Sequence, residues 1–292
     1  MNTFSSPSLK NDAAHHHQHG LAGDLQTLIK TAPDRRSVLR WLALGSAAPL
    51  GLMACGGGDS AGSTSTAGST TSTATGTCAV IPAETGGPYP GDGTNSNGSG
   101  IANALTLSGI VRSDIRSSIV GSSAVAGGVP LTVTLKLVNA SASCASLAGY
   151  AVYLWHCTRE GGYSMYSSGI TAENYLRGVQ VSNANGEVTF TTIVPGCYSG
   201  RWPHIHFEVF SSVAAATTLP AGDAVRTSQL ALPKAMCDTV YATSGYSASV
   251  SNLANISLAS DNVFGNDSAA QQMATVSGSV ATGYAASLTV GV

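Results

Sequence analysis

The stretch Pro130-Leu-Thr-Val-Thr-Leu-Lys-Leu-Val138 alternates apolar and polar residues with a period of two. In a strand, successive side chains leave opposite faces, so Leu131, Val133, Leu135 and Leu137 would line a buried face, with Thr132, Thr134 and Lys136 outside. Tyr150-Ala-Val-Tyr-Leu-Trp-His156 is more continuously apolar, as suits a central strand covered on both sides. Residues 178–182 and 187–193 flank Asn183-Ala-Asn-Gly186 and predict a hairpin, in which the Asn-Gly pair supplies the positive φ angles of the turn. Pro195-Gly196 ends that segment, and His204-Ile-His-Phe-Glu-Val-Phe210 begins another strand. No helical stripe of convincing length follows residue 78, and no internal repeat is evident. These signals predict an all-β fold: a single β-sandwich domain with long loops over residues 78–292.

Charge narrows the function. The chain has 13 Lys+Arg against 15 Asp+Glu, a formal net charge of −2, and only 10% of its residues are charged. No basic patch exists to neutralise phosphates, so no nucleic-acid partner is expected. The hydrophobic fraction of 43% excludes wholesale disorder.

The N-terminal quarter is of another kind. The first 54 residues hold five basic and three acidic side chains, leaving eight and twelve, net −4, for the rest. Asp34-Arg-Arg-Ser-Val-Leu-Arg40 resembles a twin-arginine export motif. The apolar run Trp41–Met53 that follows is too short for a membrane span and is broken by Pro49. Leu52-Met-Ala-Cys55 resembles a lipobox, which would make lipidated Cys55 the mature N-terminus and the membrane anchor. Residues 1–54 are therefore expected to form an export signal. Residues 55–77, almost pure Gly, Ser, Thr and Ala after Cys55, are expected to be a flexible linker reaching about 25 Å. The expected location is the cell envelope, on the periplasmic face or outer surface. His15–His17 and His19 precede the signal and would be discarded with it.

The chemistry gathers between Trp155 and Phe210. His204 and His206, two apart on one strand, present both imidazoles on one face, where they can converge on a metal ion, while Ile205, Phe207 and Val209 turn to the core. Tyr198 and Arg201 lie just ahead in a Pro/Gly-rich turn, and Tyr163 sits in a Gly/Ser-rich loop; taken singly, these three could equally be packing or surface residues.

Longer stretches carry a specific resemblance. They are Cys78-Ala-Val-Ile-Pro-Ala-Glu-Thr-Gly-Gly-Pro-Tyr89, Leu154-Trp-His-Cys157 with Gly162-Tyr-Ser164, Tyr175-Leu-Arg-Gly178, Thr192-Ile-Val-Pro-Gly-Cys-Tyr198, Gly200-Arg-Trp-Pro-His-Ile-His-Phe207 and Thr227-Ser-Gln-Leu230. In order and spacing they resemble the intradiol ring-cleavage dioxygenases, the catechol and protocatechuate 3,4-cleaving enzymes, and most of all their secreted lipoprotein branch. The resemblance runs from Cys78 to about Phe264. It implies a non-haem Fe(III) held by Tyr163, Tyr198, His204 and His206, with Tyr198 the axial tyrosine that leaves when substrate binds. It places Arg201 over the bound ring and Gln229 in the pocket wall. It implies intradiol cleavage of a catechol-type diol with O2 to a cis,cis-muconate-type product, with no organic cofactor. Thr158 and Arg159 depart from the Asp usual in that branch, which bears on substrate fit and not on the metal. The ligand set makes independent sense: phenolate is a hard anionic donor, and two of them suit a ferric ion better than Zn²⁺ or Cu⁺. His156 reads as a structural neighbour of the site.

Six cysteines are present. If Cys55 carries lipid, Cys78, Cys144, Cys157, Cys197 and Cys237 remain, an odd number whose pairing the sequence leaves open. Cys157 and Cys197 are candidates for loop staples or, alternatively, buried thiols acting as small hydrophobes. Two other functions compete: a lipid-tethered sandwich that binds aryl or glycan ligands without chemistry, and a copper site on His204 and His206, which the paired tyrosines suit poorly.

Overall fold

A computed structural model describes residues 78–218 and 224–292. The expected export signal, Cys55 and the linker lie outside the described residues.

Two sheets pack face to face. The first is built around β3 (Pro130–Asn139), whose alternation is realised as read: Leu131, Val133, Leu135 and Leu137 are buried, and Lys136 is exposed. β3 pairs antiparallel with β4 (Ala145–Ser146) and β7 (Glu187–Ile193), and parallel with β11 (Gly283–Gly291), which carries the edge strand β10 (Thr275–Ser279). The second sheet has the order β6-β5-β8-β9, all antiparallel: β6 (Arg177–Val181), β5 (Ala151–Trp155), β8 (His204–Phe210) and β9 (Arg226–Ala231). β1 (Asp92–Ser96) and β2 (Ile101–Asn103) form a small ribbon outside both.

Every residue of β5 and β8 is buried, because their sheet is covered twice. Val152, Leu154, Ile205, Phe207, Val209 and Leu230 pack against the first sheet in the main core. The opposite face, with Tyr153, Trp155 and Val179, packs under loops that contribute Leu105, Ile110 and Tyr163. Covering both faces explains why Tyr150–His156 reads as a continuous apolar run rather than an alternating one.

One sequence expectation changes, the hairpin, and the open cysteine pairing is resolved. Residues 178–182 and 187–193 are joined by a turn at the predicted place, but of the Asn-Gly pair only Gly186 takes a positive φ (+78°); Asn183 Oδ1 accepts from the N–H groups of Asn185 and Glu187. They do not form a hairpin, however. β6 goes to the second sheet and β7 to the first, so the turn is a corner between layers. The staple is Cys78–Cys144, joining the start of the domain to the segment between β3 and β4 across 66 residues, while Cys157 and Cys197 are buried free thiols, as is Cys237. Short helices are also present after β8: α1 (Val213–Thr217), α2 (Lys234–Tyr241) and α3 (Ser247–Ala254). At five to eight residues they are too short to write a 3.6-residue stripe.

Candidate metal centre

The register of the second sheet lays a single row across four strands: Gln229 opposite His206, His206 opposite Trp155, and Trp155 opposite Arg177. This row lies on the loop-covered face and is the floor of the site. His204, one step along β8, rises beside His206, and their Nε2 atoms stand 3.1 Å apart. The ring of His206 lies parallel to the Trp155 indole, centroids 4.9 Å apart at 7°. Gly87 covers it so closely that a Cβ there would touch His206 Cε1 at 3.4 Å.

Loops supply the oxygens. Tyr198 leaves the turn before β8 and places its Oη 3.1 Å from His204 Nε2. Tyr163, from the loop between β5 and β6, places its Oη 3.4 Å from that of Tyr198. Arg177 anchors that loop: fully buried, it donates through Nε to Ser164 Oγ at 3.0 Å and through Nη2 to Ser164 O and Tyr89 O, each at 3.0 Å. The anchoring sustains left-handed backbone at Met165 (φ 70°) and Leu176 (φ 57°), conformations that cost a non-glycine residue about 1 kcal/mol or more.

Protonation follows from burial. His204 Nδ1–H donates to the Trp202 carbonyl, so its Nε2 is a bare lone pair facing the cluster. Burial, followed by the positive charge of Arg201, pushes His204 well below the ordinary histidine range, and burial does the same to His206. Both imidazoles are therefore neutral and available as ligands. Burial pushes the Tyr198 phenol up to about 12 and Tyr163 well above its ordinary value. Phenolates form here only against a compensating cation. Two imidazole nitrogens and two phenol oxygens follow one another in a chain, Tyr163 Oη to Tyr198 Oη at 3.4 Å, Tyr198 Oη to His204 Nε2 at 3.1 Å and His204 Nε2 to His206 Nε2 at 3.1 Å, a donor set that a metal ion fits. Among the described residues no group of three or more His, Cys, Asp or Glu comes together to hold a metal, so the tyrosine oxygens are needed to complete any such site.

The other residues singled out fall into place around it. Arg201, 9% exposed, donates through Nη2 to Gln229 Oε1 at 2.6 Å, and Gln229 is fixed in turn by donating to Thr85 O at 2.9 Å. His156 is not part of the cluster: Nδ1 bonds Cys157 O and Nε2 bonds Thr192 Oγ1, so both nitrogens are spent. Sequence reasoning missed Trp155 and Arg177, whose roles depend on cross-strand register, and Asp261, whose Oδ2 accepts from Arg201 Nε at 3.0 Å.

The sandwich carries a buried His/Tyr cluster under loops, and residues 118–221 match the family model described as Dioxygenase. The fold is that of an intradiol ring-cleavage dioxygenase from Tetranychus urticae, with 24% identity over 73% of this chain and 94% of that one and a TM-score of 0.54. Weaker likenesses include the dioxygenase domain of a dioxygenase–carbohydrate-binding fusion from Streptomyces sp. SirexAA-E (23% identity, 73% and 98% covered, TM-score 0.44). Another is catechol 1,2-dioxygenase from Pseudomonas arvilla C-1 (17% identity, 63% and 58% covered, TM-score 0.37). No curated protein sequence matches the chain. The resemblance to the intradiol dioxygenases, read first from the motifs, is borne out by the family match together with the fold.

Proposed function

We propose that this protein cleaves the ring of a catechol-type diol between its two hydroxyls with O2, at a non-haem Fe(III) held by Tyr163, Tyr198, His204 and His206, giving a cis,cis-muconate-type product. The observation that carries the reading is the succession of Tyr163 Oη, Tyr198 Oη, His204 Nε2 and His206 Nε2 on this fold, each 3.1–3.4 Å from the next. Two phenolates favour a hard ferric ion over softer metals. The iron would supply Lewis acidity, making the deprotonated diol accessible at neutral pH.

The chain's own residues divide the remaining work. Tyr198 is only half-buried, whereas Tyr163 is 2% exposed, so Tyr198 is the side chain that an incoming diol reaches and, as the phenolate a metal would hold, the one placed to take up a substrate proton. Tyr163 is walled in by the Tyr89 ring, centroids 5.1 Å apart, and stays in place. Arg201 cannot serve as a base, since a guanidinium stays protonated; it stabilises negative charge that builds on the ring. The net charge of −4 after residue 54 offers no global attraction for an anionic diol, which favours neutral catechols as substrates.

The reading extends to the cell envelope: Cys55 carries lipid and the domain stands off the membrane on residues 56–77. Fatty-acid labelling lost in Cys55→Ser would support this, and unchanged labelling would refute it.

Purified protein tests the main reading. Reddish, iron-containing protein that consumes O2 with catechol supports it. Colourless, iron-free protein that binds diphenols without consuming O2 favours the non-catalytic sandwich instead.

A further inference from the structure

We propose that Asp261, which follows the 3₁₀ turn Leu258–Ser260 and lies outside the segment matched by the family model, is the positioning residue for Arg201. Its catalytic consequence rests on the function proposed above. The geometry stands on its own.

Asp261 is 2% exposed, and both of its oxygens are fully engaged. Oδ2 accepts from Arg201 Nε at 3.0 Å and from the Trp202 backbone N–H at 2.7 Å. Oδ1 accepts from the backbone N–H groups of Val263 and Phe264 at 2.8 and 2.9 Å. One carboxylate therefore joins the turn that carries Tyr198, Arg201 and His204 to the loop that carries Phe264. The Phe264 ring in turn lies 5.9 Å from the Arg201 guanidinium and 6.4 Å from the His204 ring.

A guanidinium is a flat fork whose direction is fixed once two of its nitrogens are held. Here Asp261 holds Nε and Gln229 holds Nη2. Nη1 has no protein partner among the described residues and is the nitrogen left to meet a ligand. A loop-capping role alone would need only Oδ1. Oδ2 satisfies the buried Trp202 N–H, and its additional bond to Arg201 Nε is one that capping does not require. A buried ion pair is seldom better than apolar packing of the same volume, so its return is a fixed orientation. A donor already aimed where charge will develop stabilises the transition state without reorganising.

The decisive variant is Asp261→Asn, which keeps an oxygen for Val263 and Phe264 but can turn an N–H₂ toward Arg201 Nε. Iron content and the resting visible spectrum should match the parent, kcat should fall about 10- to 100-fold, and KM should change less than about threefold. The double variant with Arg201→Ala should be no slower than Arg201→Ala alone, because both changes remove the same interaction. An unchanged kcat, or losses that multiply in the double variant, would overturn the proposal. If Asp261→Asn does not fold, Asp261→Ser, whose hydroxyl can still accept from Val263 and Phe264, replaces it. Independently of metal and turnover, ¹⁵N NMR of the metal-free full-length chain should show a slowly exchanging Nε–H signal that disappears in Arg201→Ala. Exchange as fast as in free arginine overturns the contact whatever the enzyme does. A parent that turns over no diphenol refutes the proposed function, and with it the catalytic half of this one, while the NMR still decides the contact.

Discussion

Arg201 and Tyr198 stand three residues apart in one turn, yet the structure gives them separable tasks. Tyr198 Oη is a member of the donor cluster, 3.1 Å from His204 Nε2, whereas the Arg201 guanidinium is turned to Gln229 and Asp261. Arg201→Ala should therefore leave iron and colour in place and slow turnover by about 10²- to 10³-fold. It should also cost stability, about 3 kcal/mol, because a buried carboxylate loses its counter-charge, so rates must be taken well below the lowered melting temperature. Tyr198→Phe deletes a phenolate donor: the resting visible spectrum should shift before any substrate is added, and substrate binding should slow. Resting spectra and single-turnover kinetics of both variants check this division. Iron loss in Arg201→Ala, or a Tyr198→Phe protein matching the parent in colour and rate, would break it.

At the scale of elements, the domain depends on long-range closures. The Cys78–Cys144 bridge closes a loop of 66 residues, so its loss chiefly frees the unfolded chain. Cys78→Ser should lower unfolding stability by about 2–4 kcal/mol in urea titrations while leaving the Tyr/His cluster and its iron content unchanged. A fall in iron loading parallel to the loss in stability would show the bridge acting on the site itself. What the sequence discloses divides along the same line. β3 and β8 are legible because a period of two is a local property: Leu131 to Leu137, and His204 with His206 against Ile205 and Phe207, sort onto the faces that the alternation assigns. The Asn183–Gly186 turn is legible for the same reason. What the turn joins is not, since β6 and β7 choose partners in different sheets through contacts far away in the chain. The row Gln229–His206–Trp155–Arg177 exists only once the register is set, so neither the stacking that holds His206 nor the anchoring of the Tyr163 loop by Arg177 could be read beforehand. The cysteine partners were undetermined for the same reason.

For the molecule as a whole, one buried and one half-buried group outside the donor cluster make its stability depend on pH in opposite senses. His156 is sealed between Cys157 O and Thr192 Oγ1, and burial lowers its pKa to about 4. The unfolded chain binds a proton on this histidine below about 6.5, where the folded protein does not, so its contribution is lost as pH falls from about 6.5 toward 4. Glu84, half-buried beside Gln272, is pushed up to about 7, chiefly by burial. Here the folded state keeps a proton that the unfolded chain releases, so its contribution is complete at low pH and lost as pH rises from about 4.5 to 7. Urea unfolding at a series of pH values separates the two. Relative to the parent, Glu84→Gln should gain stability as pH rises through 4.5–7, and His156→Gln should gain it as pH falls from 6.5 to 4. For His156 the slope should approach at most about 1.4 kcal/mol per pH unit. Difference curves running in the same direction, or flat across both windows, would mean that these side chains titrate as they do in water and that the packing around them does not exclude it.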